Sequence, residues 1–109
     1  MLSNQITADI VDKMRGVFGD KLLSVALFGS VARGDDTPES DVDIALFLRD
    51  PMEEPEMNAM LSRFTDMDLK YNRFFSPIDI QQKKYDEWVD VLPFYRNIRE
   101  EGIVLWKAS

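Results

Sequence analysis

Cysteine and histidine are both missing from this 109-residue chain, and each absence removes whole classes of chemistry. Without cysteine there is no disulfide framework and no thiolate metal site. Without histidine there is no imidazole ligand, no usual general base and no triad built on one. Catalysis, if present, runs on carboxylates, hydroxyls, amides and a bound metal. Long apolar runs are missing too. No stretch approaches a membrane span, and the opening Met1-Leu2-Ser3-Asn4-Gln5 lacks the basic and apolar segments of an export signal. The expected compartment is the cytoplasm, with no membrane contact. Positive charge is scarce: 13 basic residues face 20 acidic ones, a net charge of −7. Such a surface repels a phosphate backbone, so stable direct binding of nucleic acid is not expected. A basic protein partner is compatible with it, although solubility alone accounts for the balance.

What is present suffices for one compact core. Hydrophobic residues make up 45% of the chain, and no linker, repeat or low-complexity segment divides it, so a single domain over residues 1–109 is expected. Ile6, Ile10, Met14 and Val17-Phe18 recur at helical spacing and stop near Gly16 to Gly19. Leu22 to Phe28 reads as a buried strand, followed by a Gly29-Ser30 turn and a short helix to about Ala32. Asp35 to Ser40, with Thr37-Pro38, is a loop, and Asp41 to Leu48 a second strand. A helix beginning between Asp50-Pro51 and Pro55 carries Met57, Met60-Leu61, Phe64 and Met67 at spacings of three and four. Phe74 to Gln81 is a third strand, and Tyr85 to Val91 a helix or turn. Phe94 to Glu101 is helical after Pro93 and stopped by Gly102, and Ile103 to Trp106 is a last strand. Strands alternating with helices give a mixed α/β (α+β) class with a small central sheet.

The most informative stretch runs from Leu27-Phe28-Gly29-Ser30-Val31-Ala32-Arg33-Gly34 through a polar loop to Ser40-Asp41-Val42-Asp43-Ile44. Side chains alternate along a strand, so Asp41 and Asp43 share one face while Val42 and Ile44 take the other. Their Cα atoms lie roughly 6.6 Å apart, close enough for both carboxylates to meet one hard cation. Glycine lets backbone approach a phosphate, and a helix starting at Ser30 aims amide groups at it. A phosphate cradle facing a carboxylate pair is what a metal–nucleotide site requires. Each residue also has a plainer use. Gly29 and Ser30 suit an ordinary turn and helix cap, Asp41 a strand end, and Arg33 an ion pair with Asp35, Asp36 or Asp41. Asp43 and Asp79 are harder to dismiss, because aspartate is depleted in strands and both sit between apolar neighbours. Lys83-Lys84 reads as a solvated turn, the methionine stripe as core packing, and Trp88 and Trp106 as anchors.

This stretch resembles the nucleotidyltransferase superfamily that includes DNA polymerase β, and in particular its minimal nucleotidyltransferase branch. The shared signature is Gly-Ser, about ten residues, then Asp-x-Asp, often with Arg-Gly as at Arg33-Gly34. Phe75-Ser76-Pro77-Ile78-Asp79-Ile80 supplies the third carboxylate, and Ile98 to Trp106 looks like the closing helix, glycine and strand. The resemblance implies that Gly29, Ser30, Arg33 and Ser40 bind a nucleoside triphosphate, ATP. It also implies that Asp41, Asp43 and Asp79 are catalytic and hold magnesium, expected as two ions. In that reading Asp79 lies nearest the acceptor and takes its proton, on the same sheet face as Asp41 and Asp43. About thirty residues follow Asp79, too few for an acceptor-binding domain, so the acceptor surface is expected on another chain. Minimal nucleotidyltransferases of this appearance act as antitoxins that place AMP on a tyrosine of a HEPN ribonuclease toxin, which implies a hetero-oligomer. Two other readings stand beside it: an antitoxin that only binds, and a transferase acting on a small molecule or RNA end with another subunit.

Overall fold

The computed structural model describes residues 2–109. Ten elements follow in chain order: α1 (Asn4–Phe18), a 3-10 turn (Gly19–Lys21), β1 (Leu22–Phe28), α2 (Gly29–Arg33), β2 (Val42–Leu48), α3 (Glu54–Tyr71), β3 (Phe75–Gln81), α4 (Gln82–Trp88), α5 (Pro93–Glu101) and β4 (Ile103–Lys107). The expected alternation of strands and helices is therefore observed, and the mixed α/β class with it. The segment around Tyr85, open between helix and turn, is a helix.

Local chemistry explains the element ends. Ser3 accepts a hydrogen bond from the Ile6 amide at the start of α1, and Gly19 ends that helix at φ +54°. Glu53 and Glu56 form a reciprocal capping box at the start of α3, and Asn72 closes it in the left-handed conformation. The α3–β3 turn is tied by Asp68, whose carboxylate accepts from the Phe75 amide at 2.9 Å.

The sheet order is β3-β2-β1-β4. β1 runs antiparallel to both β2 and β4, while β2 and β3 are parallel, joined by the α3 crossover. Pro77 sits on β3, an edge strand, where its missing amide hydrogen costs no ladder bond on the open side. The two sheet faces differ. On one, Val25, Leu27, Val42, Ile44 and Leu46 pack against Ile10 and Met14 of α1 and Met60, Phe64 and Met67 of α3. The other is thinner: Ala26, Ala45, Phe47 and Ile80 meet Ile98 of α5, with Tyr85 of α4 edge-on to Phe47 at 4.9 Å. The methionine stripe is core at Met60 and Met67, while Met57 is partly exposed. Trp106 anchors as expected, under the Arg15 guanidinium, but Trp88 is half-exposed. Among the described residues no helix is long and apolar enough to cross a membrane.

Candidate active site

The strand alternation delivers Asp43 to the thinner face. Its neighbours Val42 and Ile44 are completely buried against α1 and α3, so Asp43 turns the other way, beside Phe28 of β1. Asp41 immediately precedes β2 and reaches the same place: the Ser76 hydroxyl donates to its Oδ2 at 3.1 Å, and Ser76 is the register partner of Asp43. The two carboxylates thus converge at one end of the sheet, as their spacing implied.

Gly29 accounts for how closely the turn hugs them. Its φ is +72°, and a Cβ built there would collide with the Asp43 carboxylate. Only glycine satisfies both constraints, so the turn after β1 and the acid on β2 fit each other as one piece. Ser30 follows in the first turn of α2. Phe28, rather than Ser30, occupies the cap position, and the Ser30 hydroxyl has no hydrogen-bond partner among the described residues. It is free for a ligand.

Electrostatics single out Asp43. Burial pushes its carboxyl above the usual range, the Asp41 charge adds to that, and Arg33 opposes both. Two acids held together, one of them desolvated, form a donor set suited to a hard divalent cation, which would relieve the repulsion. Arg33 lies at the end of α2 and pairs with Asp35 at 3.3 Å and Glu101 of α5 at 3.4 Å. The Asp35 pairing was one of the open alternatives; Glu101 was not foreseen. Ser40 spends its hydroxyl inside the loop, accepting from the Thr37 amide at 2.9 Å. Lys83 and Lys84 are exposed, as expected, but lie in the helix α4 rather than in a turn.

Asp79 corrects the expected geometry. The β2–β3 register sets Ser76 beside Asp43 and Asp79 beside Leu46. Leu46 is fully buried in the α1/α3 core, so Asp79 belongs to that side of the sheet, opposite Asp43, and is exposed there. It also lies three residues farther along β3, about 10 Å of strand. Among the described residues no three acidic groups assemble as a metal cluster. The donor set therefore fits a cation held by Asp41 and Asp43, and does not fit a pair of ions shared with Asp79.

Sequence reasoning also passed over Arg73. Its guanidinium reaches the Ser40 carbonyl at 3.3 Å and Asp36 at 3.5 Å, which fastens the loop leading into Asp41. A lone arginine after a helix carries no signal of such a role. A cavity of about 730 Å3 lies at the other end of the sheet around Arg15, Arg49 and Trp106, away from the carboxylates.

A turn, a short helix and two acids in this relation have matches along nearly the whole chain. The family model of the nucleotidyltransferase domain covers residues 8–104, and the chain belongs to that family. It is 29% identical over 98 residues to "Putative protein adenylyltransferase MJ0604" of Methanocaldococcus jannaschii, covering 90% of this chain and 92% of that one. Among solved structures, a toxin–antitoxin complex with AMP-PNP superimposes with a TM-score of 0.63 at 18% identity, over 94% of this chain and 74% of the other. A tri-AMPylated HEPN toxin in complex with MNT antitoxin, from Shewanella oneidensis, gives 0.59 at 17% identity, over 97% and 74%. These structures share the fold of this chain.

Proposed function

We propose that this chain is an antitoxin that transfers AMP from ATP to a tyrosine hydroxyl of a HEPN ribonuclease toxin, with magnesium. The observation that carries the reading is the Asp41–Asp43 pair, with Asp43 pressed against Gly29 at the mouth of α2. The protein adenylyltransferase name of the relative and the toxin–antitoxin complexes of the same fold support the acceptor class.

Gly29 and Ser30 hold the β- and γ-phosphates through backbone amides and the free Ser30 hydroxyl. Asp41 and Asp43 hold the metal, with Ser76 fixing the orientation of Asp41 through its hydrogen bond. Magnesium bound there would lower the pKa of the acceptor hydroxyl and offset charge on the departing pyrophosphate. Arg33 faces Asp43 from α2 and tempers its charge. In the transfer, the tyrosine oxygen bonds to the α-phosphorus, the bond to pyrophosphate breaks, and the phenolic proton passes to solvent. The resulting AMP–tyrosine adds bulk and negative charge where RNA phosphate would sit on the toxin.

The test titrates a HEPN ribonuclease encoded beside this chain with wild type and with an Asp41→Asn, Asp43→Asn double variant, each with and without ATP and magnesium. A catalytic amount of wild type should silence excess toxin only with ATP, and the toxin should gain AMP-sized mass increments on tyrosine. Equal one-to-one protection by both proteins would mean inhibition by binding. A gene neighbourhood without a HEPN protein would overturn the partner.

A further inference from the structure

The cavity next to the carboxylates is separate from the phosphate turn yet continuous with it. About 220 Å3 in volume, it is walled by Phe28, Gly29, Arg33, Phe94, Asn97 and Glu101. Gly29 is shared between them: it packs tightly against Asp43 and also lines this cavity. A nucleotide whose phosphates lie on Gly29 and Ser30 therefore has a neighbouring hollow in which to place its base.

The lining suits a flat heterocycle. Phe94 opens α5 and remains 50% exposed, although its ring stands edge-on to Phe28 with centroids 5.8 Å apart. An aromatic ring half-exposed at the wall of a cavity, braced by Phe28 and by Tyr95 at 6.1 Å, can serve as a stacking platform. Asn97 follows one helical turn later, on the same side of α5 as Phe94 and Glu101. It is exposed, and its amide makes no hydrogen bond among the described residues. The amide offers a donor beside an acceptor, which matches the adjacent N6 amino group and ring nitrogen of adenine. Approached on its N7 edge, guanine presents two acceptors, N7 and O6, and suits an arginine instead, so the amide prefers adenine where it meets that edge. The arginine here, Arg33, is already engaged by Asp35 and Glu101.

We infer that Phe94, backed by Phe28, and Asn97 form the base-recognition pocket of this site, with adenine the base it selects. The inference rests on the nucleotide site proposed above and adds to it the side chains that read the base. Phe94 supplies affinity by stacking on any base, and Asn97 supplies the preference for adenine.

Binding isothermal titrations without any acceptor protein test it, using a non-hydrolysable ATP analogue, its GTP counterpart and inorganic tripolyphosphate, each with magnesium. Phe94→Ala should weaken both nucleotides roughly tenfold, within the range base–aromatic stacking spans, and leave tripolyphosphate binding unchanged. Phe94→Trp should restore nucleotide affinity. Asn97→Ala, which removes both hydrogen-bonding groups without adding charge at an exposed position that should not disturb folding, should abolish the preference for the ATP analogue over the GTP analogue, again with tripolyphosphate unaffected. Wild type that binds the ATP analogue while all variants bind it equally well, with unchanged preference, would overturn the pocket and leave the transferase reading intact. Wild type that binds neither nucleotide nor tripolyphosphate would overturn both. Weakened tripolyphosphate binding in Phe94→Ala would mean that the ring only supports the fold of the turn, and would overturn its role as a platform.

Discussion

Asp9 and Asp43 are aspartates on opposite sides of one sheet, and they are treated in opposite ways. Asp9, on α1, receives the Lys13 ammonium at 2.8 Å, the Tyr71 hydroxyl at 2.8 Å and Lys70 at 3.6 Å, so its carboxyl is held below the usual range. It stitches α1 to α3 over the larger core. Among the described residues Asp43 makes no such bonds; burial and the Asp41 charge push it upward. One acid has been neutralised by the fold itself. The other is kept short of partners, which costs stability and leaves charge available to a ligand. The thicker face holds the protein together, and the thinner face carries the proposed site.

The sharpest break of this contrast is Asp43→Asn. Transfer should fall by at least about a hundredfold, the scale on which removing one preorganised electrostatic contact acts. The metal-free protein should melt at the same temperature or higher, because a desolvated charge beside a like charge has gone. A folded Asp43→Asn protein with unchanged turnover would remove this residue from the mechanism.

The reciprocal change is Asp9→Ala. Loss of charge-assisted bonds from Lys13 and Tyr71 should cost about 2 kcal/mol of stability, readable by urea unfolding. Turnover per folded molecule should stay unchanged, since no part of the network reaches the carboxylate end. A variant that lost activity but kept its stability would reverse the division between the faces.

The smallest effect sharpens the comparison through pH. A lowered carboxyl pKa contributes stability that is full above the unfolded value of about 3.9 and is lost as pH falls through the lower folded value. The stability difference between wild type and Asp9→Ala should therefore persist at neutral pH and shrink only in strong acid. Asp43 has the opposite sign. Its folded pKa is raised, so its penalty is full near neutrality and is relieved as pH falls through that raised value. In metal-free protein, the advantage of Asp43→Asn over wild type should fade at a higher pH than the Asp9 difference does. Coincident transitions in the two series would show that the acids do not differ in kind.

Much of the contrast was legible in the residues. Gly29-Ser30 and Asp41-Val42-Asp43 announced the turn and the acid pair, because strand alternation is a local rule and both acids lie at one strand's start. The element order followed from helical spacing, Pro93, Gly102 and the polar loop at Thr37-Pro38. Asp79 shows where local rules end. Flanked by Ile78 and Ile80, it looks like Asp43 between Val42 and Ile44, yet it lies on the opposite face.

By itself the sequence determined which segments become strands and which residues alternate along each, whereas the contact that requires glycine beside Asp43 came only with the structure. The tertiary structure alone decided how the strands register. A parallel neighbour joined through an eighteen-residue helix can slide without violating any pattern within its own segment. Packing of α3 against the β2 face, with Asp68 fixing the start of β3, sets Ser76 beside Asp43 and carries Asp79 to the other side. The same packing brings Phe94 and Asn97 of α5 to the turn at Gly29, across the 64 residues of chain between Gly29 and Phe94. Those pairings depend on contacts between elements, and no residue carries them alone.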